Sequence, residues 1–130
     1  MEVGKLQHIV VQAYPNIQNY FGKGKLDYPT IEFHKDIYAR LGGIPGATGE
    51  HSDTSIAQYD KGVIYIYYPN VNTEEDVLRA LIHEYTHYTQ DSELFAKYRD
   101  MYDYDEDPTE IEARKNEEKW HLFKTDNKQK

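Results

Sequence analysis

The stretch from Asn72 to Gln90 leaves this chain little choice of fold. Asn72-Thr73-Glu74-Glu75-Asp76 offers two overlapping capping boxes, Asn72 with Glu75 and Thr73 with Asp76, and fills a first helical turn with acidic side chains. A helix over residues 74–90 is expected. Leu78, Leu81, Ile82 and Tyr85 make an apolar stripe that must be buried against a core. On another face stand His83 and His87, separated by only about 40° around the axis, with the small Ala80 one turn before them. A helix with one face for packing and one for polar chemistry has to lie between a core and a cleft.

The polar face reads His83-Glu84-Tyr85-Thr86-His87, the pattern HExxH. Two neutral imidazoles one turn apart suit adjacent corners of a zinc tetrahedron. Glu84 lies about 100° away, too far round to ligate the same ion but near enough to touch a water beside it. That arrangement serves a general base in metal-assisted hydrolysis. As plain structure these residues would be a solvated helix surface. A capped amphipathic helix following a strand favours the chemical reading.

Zinc needs a third protein ligand. A metzincin continuation is excluded, because Gln90 and Glu93 stand where glycine and histidine are required. The candidates are Glu93, Glu110 and Glu112, with His121 near the end of the chain. Glu93 would need a tight turn at Gln90 without a glycine. Glu110 follows after enough chain for a connecting helix and a return, and Ala113 in its next turn is small enough for two helices to approach. Glu112 points to the opposite side of that helix, so only one of the two can serve. Against Glu110 stands a structural role: Asp107-Pro108-Thr109-Glu110 is also a good helix start.

The 130 residues suit one domain, taken as residues 1–123 with a polar tail over 124–130 that frays. Leu6, Ile9, Val10 and Ala13 fall at helical spacing until Pro15, which should interrupt or kink the helix. Ile17, Tyr20 and Phe21 would continue for a turn before Gly22-Lys23-Gly24 breaks it. Residues 30–34 alternate as a short strand, and residues 42–49, with Gly42, Gly43, Pro45, Gly46 and Gly49, read as a loop. Residues 55–59 and Val63-Ile64-Tyr65-Ile66-Tyr67-Tyr68 should pair as a hairpin around Asp60-Lys61-Gly62, the second run covered on both faces. Further helices are expected over 93–102 and 108–123. Strands before helices predict an α+β fold, with a small, mostly antiparallel sheet packed on the HExxH helix and a second, ligand-bearing helix. Thirteen tyrosines against four phenylalanines put hydroxyls at core positions, where each needs a partner.

With 15 Lys and Arg against 23 Asp and Glu, the net charge of −8 excludes a sequence-independent nucleic-acid binder. No window approaches the ~18 apolar residues of a membrane span. The start of the chain has no signal-peptide features, which points to the cytoplasm. With no cysteine, any metal must be held by His, Asp and Glu.

His83-Glu84-Tyr85-Thr86-His87 followed by Glu110-Ile111-Glu112-Ala113 resembles the gluzincin pattern, HExxH with a downstream Glu-x-x-Ala. The short chain and the preceding strand are similar to the minigluzincins and to the core of ImmA/IrrE-type peptidases. The run from Asp107 to Ala113 is similar to small peptidases encoded by bacteriophages, for which the compartment would be the host cytoplasm. The resemblance covers residues 63–113. It implies a zincin-like fold, Zn2+ held by His83, His87 and Glu110, Glu84 as base and proton shuttle, and a peptide or protein substrate. It also implies that the strand through Tyr65 lines the cleft. One departure is Arg114, which stands where many gluzincins place an acidic or amide partner for a zinc histidine; Asp107 and Glu117 are the available substitutes. Tyr98, Tyr102, Tyr104 and His51 are open as proton donors. The alternative is a zinc-stabilised binding or inhibitory protein with the same fold and no useful turnover. Arg114 and the unassigned donor favour it; the intact Glu84 favours an enzyme.

Overall fold

The computed structural model describes residues 1–35 and 55–125. The loop expected over 42–49 and His51 lie outside the described residues. The first helix, α1, spans Val3–Phe21 and buries Leu6, Ile9, Val10, Ala13 and Ile17 along one stripe. Pro15 does not interrupt it, because it sits on the exposed face while the stripe runs on to Ile17. A mid-helix proline costs roughly 3 kcal/mol; fully burying one isoleucine returns about half of that or more. The helix stops at Gly22, whose φ of 85° suits glycine.

Three strands follow: β1 (Thr30–His34), β2 (Ala57–Asp60) and β3 (Val63–Tyr67). Lys61 and Gly62, at φ 48° and 87°, make the two-residue turn between β2 and β3, the mirror-image type whose twist suits a hairpin. The strand order is β1-β3-β2, with β2 antiparallel and β1 parallel to β3. The sheet is therefore mixed, not mostly antiparallel. The direction of β1 follows from where it starts: Thr30 N donates to Gly62 O, so β1 enters beside the hairpin turn, at the end where β3 also begins. Strand β3 is covered more fully on one face than on the other: Ile64 and Ile66 are fully buried in the core, while opposite them Tyr67 is buried and Val63 and Tyr65 are half-buried.

The segment between α1 and β1 is fixed by tyrosine hydroxyls. Tyr14 donates to Pro29 O, Tyr85 to Gly22 O and Tyr88 to Leu26 O, and Gly24 N donates to the Tyr88 hydroxyl. Buried phenols thus satisfy backbone groups that no strand partner reaches.

Helix α2 spans Glu74–Thr89, and of its two possible caps Thr73 with Asp76 forms. Thr73 Oγ1 accepts from Asp76 N and Asp76 Oδ2 accepts from Thr73 N, both at 3.1 Å. Val77, Leu78, Leu81, Ile82 and Tyr85 are fully buried against α1 and the sheet. Helix α3 (Ser92–Met101) is capped by Asp91, and α4 (Pro108–Glu117) by Asp107, with a 3-10 turn over Glu118–Phe123 continuing α4. Thr125 donates from N and Oγ1 to Glu74 Oε2, tying the end of the described chain to the start of α2. The described residues thus form an α+β fold of four α-helices and a three-stranded mixed sheet. Among them, no helix is long and apolar enough to cross a membrane.

Candidate metal centre

Helices α2 and α4 lie side by side, and the fully buried Ala113 lets them approach. Glu110 leaves α4 toward α2 and does not fold back on its own cap. Asp107 Oδ1 does the capping alone, accepting from Thr109 N at 2.8 Å and Thr109 Oγ1 at 2.6 Å. Glu110 Oε1 lies 2.9 Å from His83 Nε2 and 3.2 Å from His87 Nε2. All three side chains are nearly closed to solvent, at 12%, 7% and 4% exposure for His83, His87 and Glu110. Ligand atoms around a tetrahedral zinc ion sit about 3.3 Å apart, as bond lengths of about 2.0–2.1 Å require. Two imidazole nitrogens and one carboxylate oxygen at these separations fit a metal ion with little movement.

The histidines present the right nitrogens because other residues hold the opposite ones. His83 donates from Nδ1 to Glu117 Oε2 at 2.6 Å, and His87 donates from Nδ1 to Gln90 Oε1 at 2.8 Å. With Nδ1 committed in each ring, Nε2 is the nitrogen turned toward Glu110 and the one a metal ion would take. Of Asp107 and Glu117, the two acidic side chains considered as partners for a histidine, Glu117 reaches His83, and Asp107 is occupied as the cap.

Charge reinforces the grouping. Burial alone would discourage a charged His83, but hydrogen bonds to Glu110 and Glu117 outweigh it and raise its pKa from 6.5 to about 10. Burial likewise opposes a charged Glu110, yet the two histidines hold its carboxyl far below the usual carboxylate range. Arg99 Nη2 adds a longer contact, 3.5 Å, to the other Glu110 oxygen and stacks over the Phe95 ring.

Glu84 faces the same cleft without joining the cluster. Its Oε1 accepts from Tyr59 N, on strand β2, at 2.9 Å, and burial pushes its carboxyl above the usual range. The cleft has a volume of about 990 Å3 and is lined by Gln58, Tyr59, Asp60 and Lys61 on one side and by Phe95, Arg99 and Tyr104 on the other. The lining strand is β2, an edge strand. Tyr65 lies in the central strand, paired on both sides, and does not line the cleft.

Of the other ligand candidates, Glu112 is turned outward and accepts from Gln90 Nε2 at 2.8 Å; Glu93 and His121 are exposed. Among the donor candidates, Tyr104 lines the cleft beside Glu110, and burial together with that charge raises its pKa. Arg114 holds this turn, donating from Nη2 to Asp105 O and lying over the Tyr104 ring. Tyr98 and Tyr102 pack on each other instead. The sequence reading missed Gln90, Phe95 and Arg99. Only Gln90 carried a signal, its spacing of three from His87 at a helix end. Phe95 and Arg99 belong to α3, whose placement no local pattern fixes. No family model, curated protein or solved structure matches the chain.

Proposed function

We propose that the chain is a small zinc-dependent peptidase of the gluzincin type, with His83, His87 and Glu110 as metal ligands and Glu84 as general base. The observation that carries this reading is the convergence of both Nε2 atoms on Glu110 Oε1, with Glu84 in the same open cleft but outside the ligand group. The donor set of two imidazoles and a carboxylate, with no sulfur, is one that zinc uses in hydrolytic sites. When bound, the ion supplies Lewis acidity, bringing the pKa of coordinated water toward ~7 and polarising a carbonyl.

The chain's own residues supply the rest. Glu84 takes a proton from the attacking water and delivers it to the leaving amine nitrogen, a role that its raised pKa favours. An extended peptide would lie along β2, the edge strand that lines the cleft among the described residues, where Tyr59 N already donates to Glu84. Tyr104, which lines the cleft and hydrogen-bonds Glu110, is the phenol that would donate to a developing oxyanion. The intact Glu84 in the cleft favours an enzyme over a purely structural metal site, which has no use for a base there.

The test is metal analysis and peptide-library digestion of wild type beside Glu84→Gln. We expect about one zinc per chain in both proteins and cleavage in the wild type alone, with the variant slowed on the order of 10²–10⁴-fold or more. Zinc without cleavage in either would leave a metal-stabilised binding protein. Undiminished hydrolysis by Glu84→Gln would remove the assigned base.

A further inference from the structure

Gln90 lies just past the end of α2, and its side chain folds back over the last turn of that helix. The amide touches three partners. Oε1 accepts from His87 Nδ1 at 2.8 Å, while Nε2 donates to Thr109 O at 2.9 Å and to Glu112 Oε1 at 2.8 Å. A carbonyl and a carboxylate accept only, so Nε2 must face them and Oε1 must face the histidine. A flipped amide would set oxygen against two acceptors. The orientation is therefore fixed from outside, and it dictates which His87 nitrogen carries the proton.

We propose that Gln90 is the positioning residue for His87: its amide, locked by Glu112 and the Thr109 carbonyl, holds the tautomer that leaves Nε2 free for a metal ion. The proposal rests on the metal-site reading above and adds a role for Glu112. That residue competes with Glu110 in the sequence as a ligand, but in the fold it acts two links away, through Gln90. The two histidines are thus set by different means, His83 by a carboxylate and His87 by a neutral amide held by a carboxylate. Because Thr109 and Glu112 flank Glu110 on α4, one side chain joins the ends of both ligand-bearing helices at the place where the ligands meet.

The experiment measures zinc affinity by chelator competition and the visible absorption of the Co2+ form. The proteins are wild type, Gln90→Leu, Glu112→Gln and the double exchange Gln90→Glu/Glu112→Gln. Gln90→Leu should weaken zinc binding roughly 10–100-fold and alter the Co2+ spectrum, as loss of a partner behind a metal histidine does elsewhere. Glu112→Gln should weaken it less, by replacing a charged acceptor with a neutral one that can itself flip. The double exchange reverses donor and acceptor within the pair and still offers His87 an acceptor, so it should recover part of the lost affinity, the Thr109 carbonyl losing its donor. A residue that only supports the helix end would show no such rescue. Wild-type affinity and an unchanged spectrum in Gln90→Leu overturn the inference while the metal site stands. If that variant does not fold, wild-type affinity and an unchanged spectrum in Gln90→Ala overturn it instead. Failure of the wild type to bind zinc overturns both this inference and the metal-site reading.

Discussion

His83 is held at both of its ring nitrogens by carboxylates. One ring nitrogen faces Glu110 and the other donates to Glu117, with Glu84 adjacent in the chain. Stripped of metal by a chelator, the protein should carry this arrangement as a pH-dependent stability. The folded-state pKa of His83, about 10, lies above its ordinary 6.5, so its contribution is full below pH 6.5 and is lost as pH rises toward 10. Glu110 has the opposite sign: its lowered pKa contributes above its ordinary 4.5 and is lost as pH falls below that. Thermal midpoints in chelator should therefore be highest between these limits and decline on the alkaline side. Glu117→Gln should shift that decline to lower pH, since one of the groups raising His83 is gone. A midpoint in chelator that ignores pH between 6.5 and 10 would contradict the coupling. At this scale the sequence was informative where helical periodicity alone decides. His83, Glu84 and His87 follow from spacing within one helix. Glu110 against Glu112 was left open, because the choice depends on which side of α4 turns toward α2. Arg99 was invisible, because it reaches the site from a third helix.

Among the elements, α2 and its surroundings were legible and the approach to β1 was not. Capping residues, the apolar stripe and the hairpin turn are local, and the fold follows them closely. The parallel pairing of β1 with β3 depends on where residues 22–29 are held, and that is set by tyrosines distant in sequence. Gly24 shows how tight this is. A Cβ there would meet Tyr88 O at 3.1 Å and Tyr88 Cζ at 3.2 Å, with the Thr89 Cα at 3.4 Å. Two of these neighbours are backbone atoms of the last turn of α2, which cannot give way without moving the helix end that carries His87 and Gln90. Gly24→Ala should therefore destabilise the protein by about 1–3 kcal/mol, the usual range for overpacking, measured by urea unfolding. It should also weaken zinc binding. Gly22→Ala serves as a contrast: a Cβ there has open space but sits at a φ of 85°, so its cost is backbone strain and metal affinity should hold. Equal losses of metal affinity in the two variants would show that the linker does not act through α2. Helix α3 differs from the other helices in having no buried residue; it meets the site through Phe95 over His87 and Arg99 beside Glu110.

For the molecule as a whole, the proposed metal site would be a long-range cross-link. Its ligands come from two helices separated by α3 and a 3-10 turn, so the three donor atoms meet only when α2 and α4 have docked. The unfolded chain keeps His83 and His87 near each other but leaves Glu110 free, so a metal ion should bind the folded state far better. Linkage then requires that zinc stabilise the fold. At a free ion concentration one hundred times the dissociation constant the gain is about 2.7 kcal/mol. For a chain of this length that corresponds to a rise in melting temperature of roughly 10 °C. Scanning calorimetry should show that difference between zinc and chelator in the wild type. Glu110→Ala removes the one donor supplied by α4, so its melting temperature should barely respond to zinc. Glu112→Ala should keep a clear response, smaller than that of the wild type, since its carboxylate faces Gln90 and not the ion. A wild type whose melting temperature is indifferent to zinc would mean that the three side chains are held together by their own ion pairs alone. A full response that survives Glu110→Ala would move the third ligand to another residue.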